Sequence, residues 1–118
     1  MTRQIRYGEI WLANLNPGRG TEPGKIRPVL ILQNQALLDA QHPSTLIIPL
    51  TTNLFDDAAP LRIRLKSEGL LEKDSDLLID QLRAIDNRRL VQGPLLQLDD
   101  LTLSQINAAI REVLGLEN

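Results

Sequence analysis

Residues 9–32 read EIWLANLNPGRGTEPGKIRPVLIL, which is two apolar segments joined by a long segment rich in Gly and Pro. Residues 9–15 predict a first strand, and residues 29–32, a short apolar run just after a proline, predict a buried second strand. The connection, residues 16–28, is too long for a tight hairpin. Loops of this length inside small domains are usually functional or disordered. We therefore interpret residues 16–28 as the working loop of the protein.

The composition of this loop favours a shaped ligand-binding surface. Its three glycines allow close backbone approach to a ligand, and Pro23 and Pro28 stiffen its path. Pro28 also biases Arg27 toward an extended conformation, which places Arg27 at the mouth of the second strand. A side chain at the end of a buried strand is better positioned than one on a free loop.

The rest of the chain predicts further short strands and one clear helix. Three more strands are expected at residues 45–51, 61–65 and 77–82, and a sixth at 90–91 or 95–96. Pro49 cannot donate to a ladder, so it predicts an edge or a bulge in the third strand. The strict alternation of residues 61–65 predicts one solvent-exposed face.

The C-terminal helix is predicted from an apolar stripe formed by Leu103, Ile106, Ile110 and Val113. Thr102 and Gln105 fit a capping box at its start, and Gly115 fits its stop. A helical turn is expected at residues 36–40, and a surface loop at residues 72–76. Short, mostly antiparallel strands with one helix predict a mainly β fold, either a compact barrel or a curled sheet.

Length and composition narrow the class of protein. The 118 residues fit one domain, residues 1–118. The chain has no cysteine, so disulfides and thiolate metal sites are excluded and a cytoplasmic location is favoured. Residues 1–6 do not resemble a signal peptide, and no apolar run approaches the length of a membrane span.

The charge distribution is uneven. The net charge is −2 and the pI about 5.3, which argues against nucleic-acid binding through bulk charge. Residues 1–34 carry five basic and two acidic side chains, whereas the remainder carries eight basic and thirteen acidic ones. A polyanion could bind the N-terminal part, although chance scatter of surface charge also explains the pattern.

The candidate catalytic groups exclude several chemistries. His42 is the single histidine, so a pair of histidines is impossible within one chain. It stands next to Pro43 in a predicted turn, where it is expected to be solvated. The two aspartates at 56–57 are interpreted as part of a turn. The two aspartates at 99–100 are interpreted as negative charge at the start of a helix. We expect no metal and no cofactor.

Cleavage of RNA without a metal remains chemically reasonable, because the 2′-hydroxyl is an internal nucleophile beside the phosphorus. Arg27 can stabilise the added charge on phosphoryl oxygens through its hydrogen-bonding fork. Thr51 offers a hydroxyl donor, and Glu22 could act as a base or as a guide for Arg27. The structural alternatives are an ion pair of Arg27 with Glu9 or Glu22, and a strand-end cap at Thr51.

Several ordered blocks then resemble the MazF/PemK family of toxin endoribonucleases. They occur in the order and spacing of the family across nearly the whole chain, and lie at residues 8–12, 15–17, 20–22, 25–31, 49–51, 80–86, 89–90 and 114–116. The ordered set is specific, although no single block is diagnostic.

The resemblance implies an SH3-like small β-barrel with a C-terminal helix, acting as a homodimer. It implies sequence-selective, metal-independent cutting of single-stranded RNA, leaving a 2′,3′-cyclic phosphate and a 5′-hydroxyl. It also implies a cognate antitoxin, MazE-like, whose extended acidic segment blocks the RNA groove.

The resemblance also assigns residues. It places Arg27 and Thr51 at catalytic positions, with Glu22 in the loop beside them. Candidate RNA-binding residues are Thr21, Lys25, Arg19, Asp80 and Gln81. The chain departs from the family at Pro23, at Thr21 and at Leu78, where some members have an arginine. The RNA recognition word is expected to depend on the loops around Thr21, 53–59 and 67–75.

Two other readings compete. A gyrase-poisoning toxin of the CcdB type acts through its C-terminal residues with a Trp-Gly-Ile ending, whereas this chain ends Gly-Leu-Glu-Asn. An inactive RNA-binding barrel would need a base-stacking platform, and the chain has only the aromatics Tyr7, Trp11 and Phe55. Trp11 is expected in the core or at a dimer interface.

Overall fold

A seven-stranded antiparallel sheet with a C-terminal helix dominates the structure, a computed structural model that describes residues 4–116. Arg3, part of the basic N-terminal charge, and the C-terminal residues 117–118 lie outside the described residues. The strands are β1 Glu9–Asn14, β2 Ile26–Ile31, β3 Ser44–Thr51, β4 Arg62–Leu65, β5 Ser75–Leu78, β6 Arg83–Asp86 and β7 Leu90–Gln97. The helices are α1 Gln35–Asp39 and α2 Asp100–Leu114, with 3-10 turns at Ile79–Gln81 and Asn87–Arg89.

The strand order is β4-β5-β3-β2-β1-β7, and β6 also pairs with β3. Every pairing is antiparallel. The predicted class, mainly β with a C-terminal helix, is confirmed, but within residues 4–116 the sheet is not closed into a barrel. In the same part of the chain no helix is long and apolar enough to cross a bilayer.

The central strands are buried on both faces. On one face, Ile10 and Leu30 pack in a core with Ile106 of α2. On the other face, Trp11 and Val29 belong to a second core. A strand covered on both sides needs apolar residues at successive positions rather than at alternate ones. This double burial explains the continuous apolar run after Pro28.

Strand β3 is central in the sheet, and the edge predicted at Pro49 is found on one side of the strand only. Pro49 pairs with Val29 of β2 on one side. On the other side, the N-terminal half of β3 pairs with β6, and Leu50 and Thr51 pair with β5. On this side the pairing with β6 ends at Ile47 and the pairing with β5 begins at Leu50, so neither β5 nor β6 pairs with Pro49.

The second half of the sheet differs from the sequence prediction. The expected strand at 77–82 is β5 followed by a 3-10 turn at Ile79–Gln81. Strand β6 was not predicted, because it offers one buried side chain, Ile85, in four residues. The two candidates for a sixth strand are parts of the single strand β7, whose pairing with β1 is irregular around Leu12.

Helix α2 confirms the predicted stripe and the predicted stop. Gly115 adopts a left-handed conformation at φ 71° and closes the last turn. The capping box at Thr102 is wrong. The helix begins at Asp100, and the side chain of Asp99 accepts a hydrogen bond from the Thr102 amide at 2.8 Å. Hydrogen bonds from the Thr102 side chain and from its amide hold the pKa of Asp99 below its usual value.

Candidate functional site

The loop between β1 and β2 is held to the sheet at its base. The Asn16 Oδ1 accepts from the Lys25 amide at 2.6 Å, and the Leu15 amide donates to the Lys25 carbonyl at 2.8 Å. Arg89 donates to the carbonyls of Asn14 and Asn16 at 3.0 and 2.8 Å. These bonds give the loop a fixed path into β2.

Two loop glycines allow the two arms of the loop to pack against each other. A Cβ added at Gly24 would lie 2.6 Å from the Gly18 amide nitrogen, and one added at Gly18 would lie 2.9 Å from the Gly24 nitrogen. The two backbones therefore approach closer than any side chain would allow. We expected the glycines to admit a ligand, but at these two positions they admit the other arm of the loop.

Arg27 is half-buried at the start of β2, and its guanidinium is oriented by backbone carbonyls. Its Nε donates to the Gly24 carbonyl at 2.8 Å, and its Nη1 donates to the Leu50 carbonyl of β3 at 3.2 Å. Burial lowers the pKa of Arg27 from its usual value, but an arginine remains charged at working pH. Within residues 4–116 no ion pair joins Arg27 to Glu9 or Glu22, so that alternative is wrong.

Thr51 ends β3 beside Arg27. Its Oγ1 accepts a hydrogen bond from the Asn53 amide at 3.1 Å, which confirms the strand-end cap. Because the oxygen accepts this bond, the hydroxyl proton remains available for another acceptor. Arg27 and Thr51 line one pocket together with Lys25 and Asn53. We refer to it as the Arg27–Thr51 pocket.

The other predicted site residues do not line this pocket. Glu22, Thr21 and Arg19 are exposed on the loop, where Arg19 and Glu22 form an isolated antiparallel bridge. Asp80 and Gln81 lie in the 3-10 turn after β5. The structure therefore brings together Arg27, Thr51 and Lys25 and leaves the other five apart from them.

Sequence reasoning missed a buried carboxylate next to the pocket. The polar run at 72–76 predicts a surface loop, yet Asp76 lies in β5 opposite Thr51, and its side chain is 1% exposed. It accepts hydrogen bonds from Arg62, Arg64 and the Phe55 amide. Burial pushes the pKa of Asp76 upward, but these three donors outweigh it and leave the pKa below its usual value.

The sequence of β4 indicates that a carboxylate partner is needed nearby. Arg62 and Arg64 are two residues apart on a strand, so both point to one face of the sheet. Two arginines on a partly buried face require a carboxylate partner. The alternation of residues 61–65 predicts a solvent-exposed face, on which the arginines would need no buried partner.

The remaining candidate groups lie outside the site. His42 is exposed, and the 56–57 pair lies in a turn, as predicted. Within residues 4–116 no three His, Asp or Glu side chains converge as a group that could hold a metal ion. Trp11 is 3% exposed in the second core, and its Nε1 donates to Glu9 at 3.1 Å.

Comparisons with known proteins identify similar sequences and folds. Residues 6–114 match a family model described as PemK-like, MazF-like toxin of type II toxin-antitoxin system. Endoribonuclease MazF of Staphylococcus saprophyticus is 35% identical over 113 residues, which cover 95% of this chain and 92% of that protein.

Solved structures share the fold at lower identity. MazF of Deinococcus radiodurans superposes with a TM-score of 0.80 at 22% identity, covering 98% of this chain and 100% of that one. The Mycobacterium tuberculosis toxin MazF-mt6 gives 0.76 at 20% identity, covering 93% and 99%. A mycobacterial endoribonuclease in complex with its cognate antitoxin gives 0.73 at 19% identity, covering 99% of both chains.

Proposed function

Because the chain belongs to the PemK-like, MazF-like toxins of type II toxin-antitoxin systems, we propose that it is an endoribonuclease that cuts single-stranded RNA without a metal ion. The observation that carries the proposal is the Arg27–Thr51 pocket. It joins an oriented guanidinium from β2 to a hydroxyl from β3. Both groups suit the charge that develops on phosphoryl oxygens.

The proposed reaction is a transesterification. The 2′-oxygen of one nucleotide bonds to the adjacent phosphorus, and the bond from phosphorus to the 5′-oxygen of the next nucleotide breaks. The 2′-hydroxyl loses its proton, and the departing 5′-oxygen gains one. The products are a 2′,3′-cyclic phosphate and a 5′-hydroxyl.

Arg27 and Thr51 stabilise the phosphorane-like transition state in this proposal. Two N–H groups of Arg27 hold its plane against backbone carbonyls, so the others can approach the non-bridging oxygens. The Thr51 hydroxyl donates to the same phosphate. We propose Glu22 as the base for the 2′-proton. Because Glu22 lies outside the pocket, this role requires the loop to approach the RNA, and Glu22→Gln tests it.

RNA binding is proposed to be local rather than through bulk charge. Lys25 lines the pocket and would contact a phosphate next to the cut. Thr21 and Arg19 are exposed on the loop and would contact neighbouring nucleotides. Asp80 and Gln81 would contact the RNA farther from the cut, at the 3-10 turn after β5.

The proposed partners follow from the family. We propose that residues 1–118 form one toxin domain, that the chain acts as a homodimer in the cytoplasm, and that a MazE-like antitoxin inhibits it. An acidic segment of that antitoxin would compete with RNA for the basic loop. Solved relatives include MazE–MazF complexes of Deinococcus radiodurans.

The test is cleavage of a long mixed RNA in EDTA by the native chain and by Arg27→Ala. We expect the native chain to cut and the variant to be nearly inactive, with cyclic phosphate ends on the products. Intact RNA that is nevertheless bound would exclude the enzyme, and a requirement for magnesium would exclude the mechanism. Sequencing the 5′ ends of the fragments gives the recognition word.

A further inference from the structure

The carboxylate of Asp76 is connected to the Arg27–Thr51 pocket by a short path of hydrogen bonds. Arg62 contacts Asp76 at 3.2 Å and donates through the same Nη1 to the Asn53 carbonyl at 2.8 Å. The Asn53 amide in turn donates to Thr51 Oγ1 at 3.1 Å. Residue 53 is therefore held at its carbonyl by Arg62 and at its amide by Thr51.

Further contacts hold the same segment at Phe55. The Phe55 amide, another of the three donors to the carboxylate, donates to Asp76 at 2.9 Å. The Arg62 guanidinium also lies over the Phe55 ring, 4.5 Å from its centroid. Asp76 thus fixes two points of the chain within four residues of Thr51.

We propose that Asp76 is a positioning residue for Thr51. Through Arg62 and the Asn53 peptide, it sets the direction in which the Thr51 hydroxyl presents its proton to the phosphate. Because the Asn53 amide occupies an acceptor site of the hydroxyl, a fixed Asn53 leaves a fixed direction for the O–H bond. The proposal rests on the catalytic role of Thr51 in the proposed function.

The buried ion pairs of Asp76 are an inefficient way to stabilise the fold. A buried ion pair loses solvation that its Coulombic attraction only partly restores, and well-packed apolar residues often stabilise as much. What such a network supplies is a defined geometry. Displacing a catalytic group by about 1 Å can cost about 10²-fold in rate, so a fixed strand end has a direct catalytic consequence.

The first experiment is a double-mutant cycle between Asp76→Asn and Thr51→Ala. The single-turnover rate of RNA cleavage is measured in EDTA at saturating protein. We expect Asp76→Asn to lower the rate about tenfold to 100-fold in the native background. In the Thr51→Ala background it should lower the rate by less than about twofold, because the group that it positions is absent.

The second experiment does not depend on the folding of Asp76→Asn. Arg62→Gln and Arg64→Gln each remove one arginine from the carboxylate, but only Arg62 contacts Asn53. We expect Arg62→Gln to lose activity about tenfold or more, and Arg64→Gln to keep most of it. Thermal unfolding of both variants reports whether they are folded to a similar extent.

The outcomes separate the two proposals. Equal losses from Asp76→Asn in both backgrounds, or equal losses from the two arginine variants, overturn the positioning role and leave the endoribonuclease intact. Full activity of Arg62→Gln also overturns it. A native chain that leaves RNA uncut, or a fully active Thr51→Ala, refutes the proposed chemistry and the positioning role together.

Discussion

Replacing Arg27 by lysine isolates the contribution of its guanidinium fork. In the native chain, the Nε and one Nη1 hydrogen donate to the carbonyls of Gly24 and Leu50. Within the described part of the chain, this leaves three of the five N–H groups for the phosphate. A lysine has a single ammonium on a flexible stem, so it cannot hold both carbonyls and also present a paired contact.

The expected loss follows from these contacts. Removing one preorganised donor to a developing oxyanion typically costs about 2.7–4 kcal/mol, or about 10²–10³ in rate. Arg27→Lys keeps the charge but loses the orientation, so we expect a loss in this range rather than complete inactivity. The partial burial of Arg27 supports the upper part of the range, since electrostatic interactions strengthen when water is excluded.

The assay is single-turnover cleavage of a short RNA that contains the recognition word, with protein in excess and EDTA present. Arg88→Lys is the matched control, because the side chain of Arg88 is 90% exposed and pairs with Asp86 away from the pocket. The rate at saturating protein should fall for Arg27→Lys and stay unchanged for the control. Urea unfolding of both variants reports the loss of backbone hydrogen bonds separately.

A folded Arg27→Lys variant that keeps more than about a tenth of the native rate would refute the reasoning, because charge alone would then suffice. A normal rate at saturation with weaker RNA binding would also refute it. That result would make Arg27 a binding residue whose contact is equal in the ground state and the transition state.

Three further predictions concern folding. A Cβ at residue 93 would lie under 3 Å from the Trp11 ring, so Gly93→Ala should lower the free energy of unfolding in urea by about 1–3 kcal/mol. Hydrogen bonds from Arg88 lower the pKa of Asp86 to about 2. Its stabilising contribution is therefore complete above about pH 4 and lost toward pH 2, and Asp86→Asn should flatten this part of the stability profile. Asp99→Ala should lower the free energy of unfolding by about 1 kcal/mol, because it removes the cap of α2.

Each of these has an outcome that contradicts it. An unchanged urea midpoint for Gly93→Ala would mean that β7 moves freely away from the indole. An equally steep acid profile in Asp86→Asn would assign the pH dependence to other carboxylates. Gln105→Ala removes the other half of the predicted capping box without touching Asp99, and a larger loss there than in Asp99→Ala would restore that capping box.

The sequence predicted the part of the site whose position depends on neighbouring residues along the chain. Arg27 follows a Gly/Pro-rich loop and precedes a buried strand, so its place could be derived from its neighbours along the chain. Its contact with the Leu50 carbonyl could not be, because that bond depends on the pairing of β2 with β3. The local pattern offered Thr51 only as a hydroxyl at a strand end, and the resemblance to a family placed it at a catalytic position.

Prediction from the sequence failed where long-range contacts, rather than the local pattern, determine the structure. Asp76 follows a run of polar residues that is typical of a surface loop, and only the arginines of β4 make its burial tolerable. Strand β6 has too few apolar residues to show a period, and it forms because β3 offers an unpaired side. Thr102 fits a local cap motif, but the N-cap is Asp99, three residues earlier, whose side chain accepts from the Thr102 amide.

The double burial of the central strands has a consequence for strand alignment. If β2 slid by one residue along its neighbours, Val29, Leu30 and Ile31 would exchange one apolar environment for another, so hydrophobicity alone penalises the slip weakly. The same slip would turn Arg27 to the opposite face of the sheet, away from Thr51. Gly93 packs closely against the Trp11 ring, and this contact depends on shape, so it fixes how β1 and β7 align. Trp11 also lies opposite Val29 of β2, so a substitution at Gly93 acts on the strand beside the one that carries Arg27, although Gly93 does not line the Arg27–Thr51 pocket.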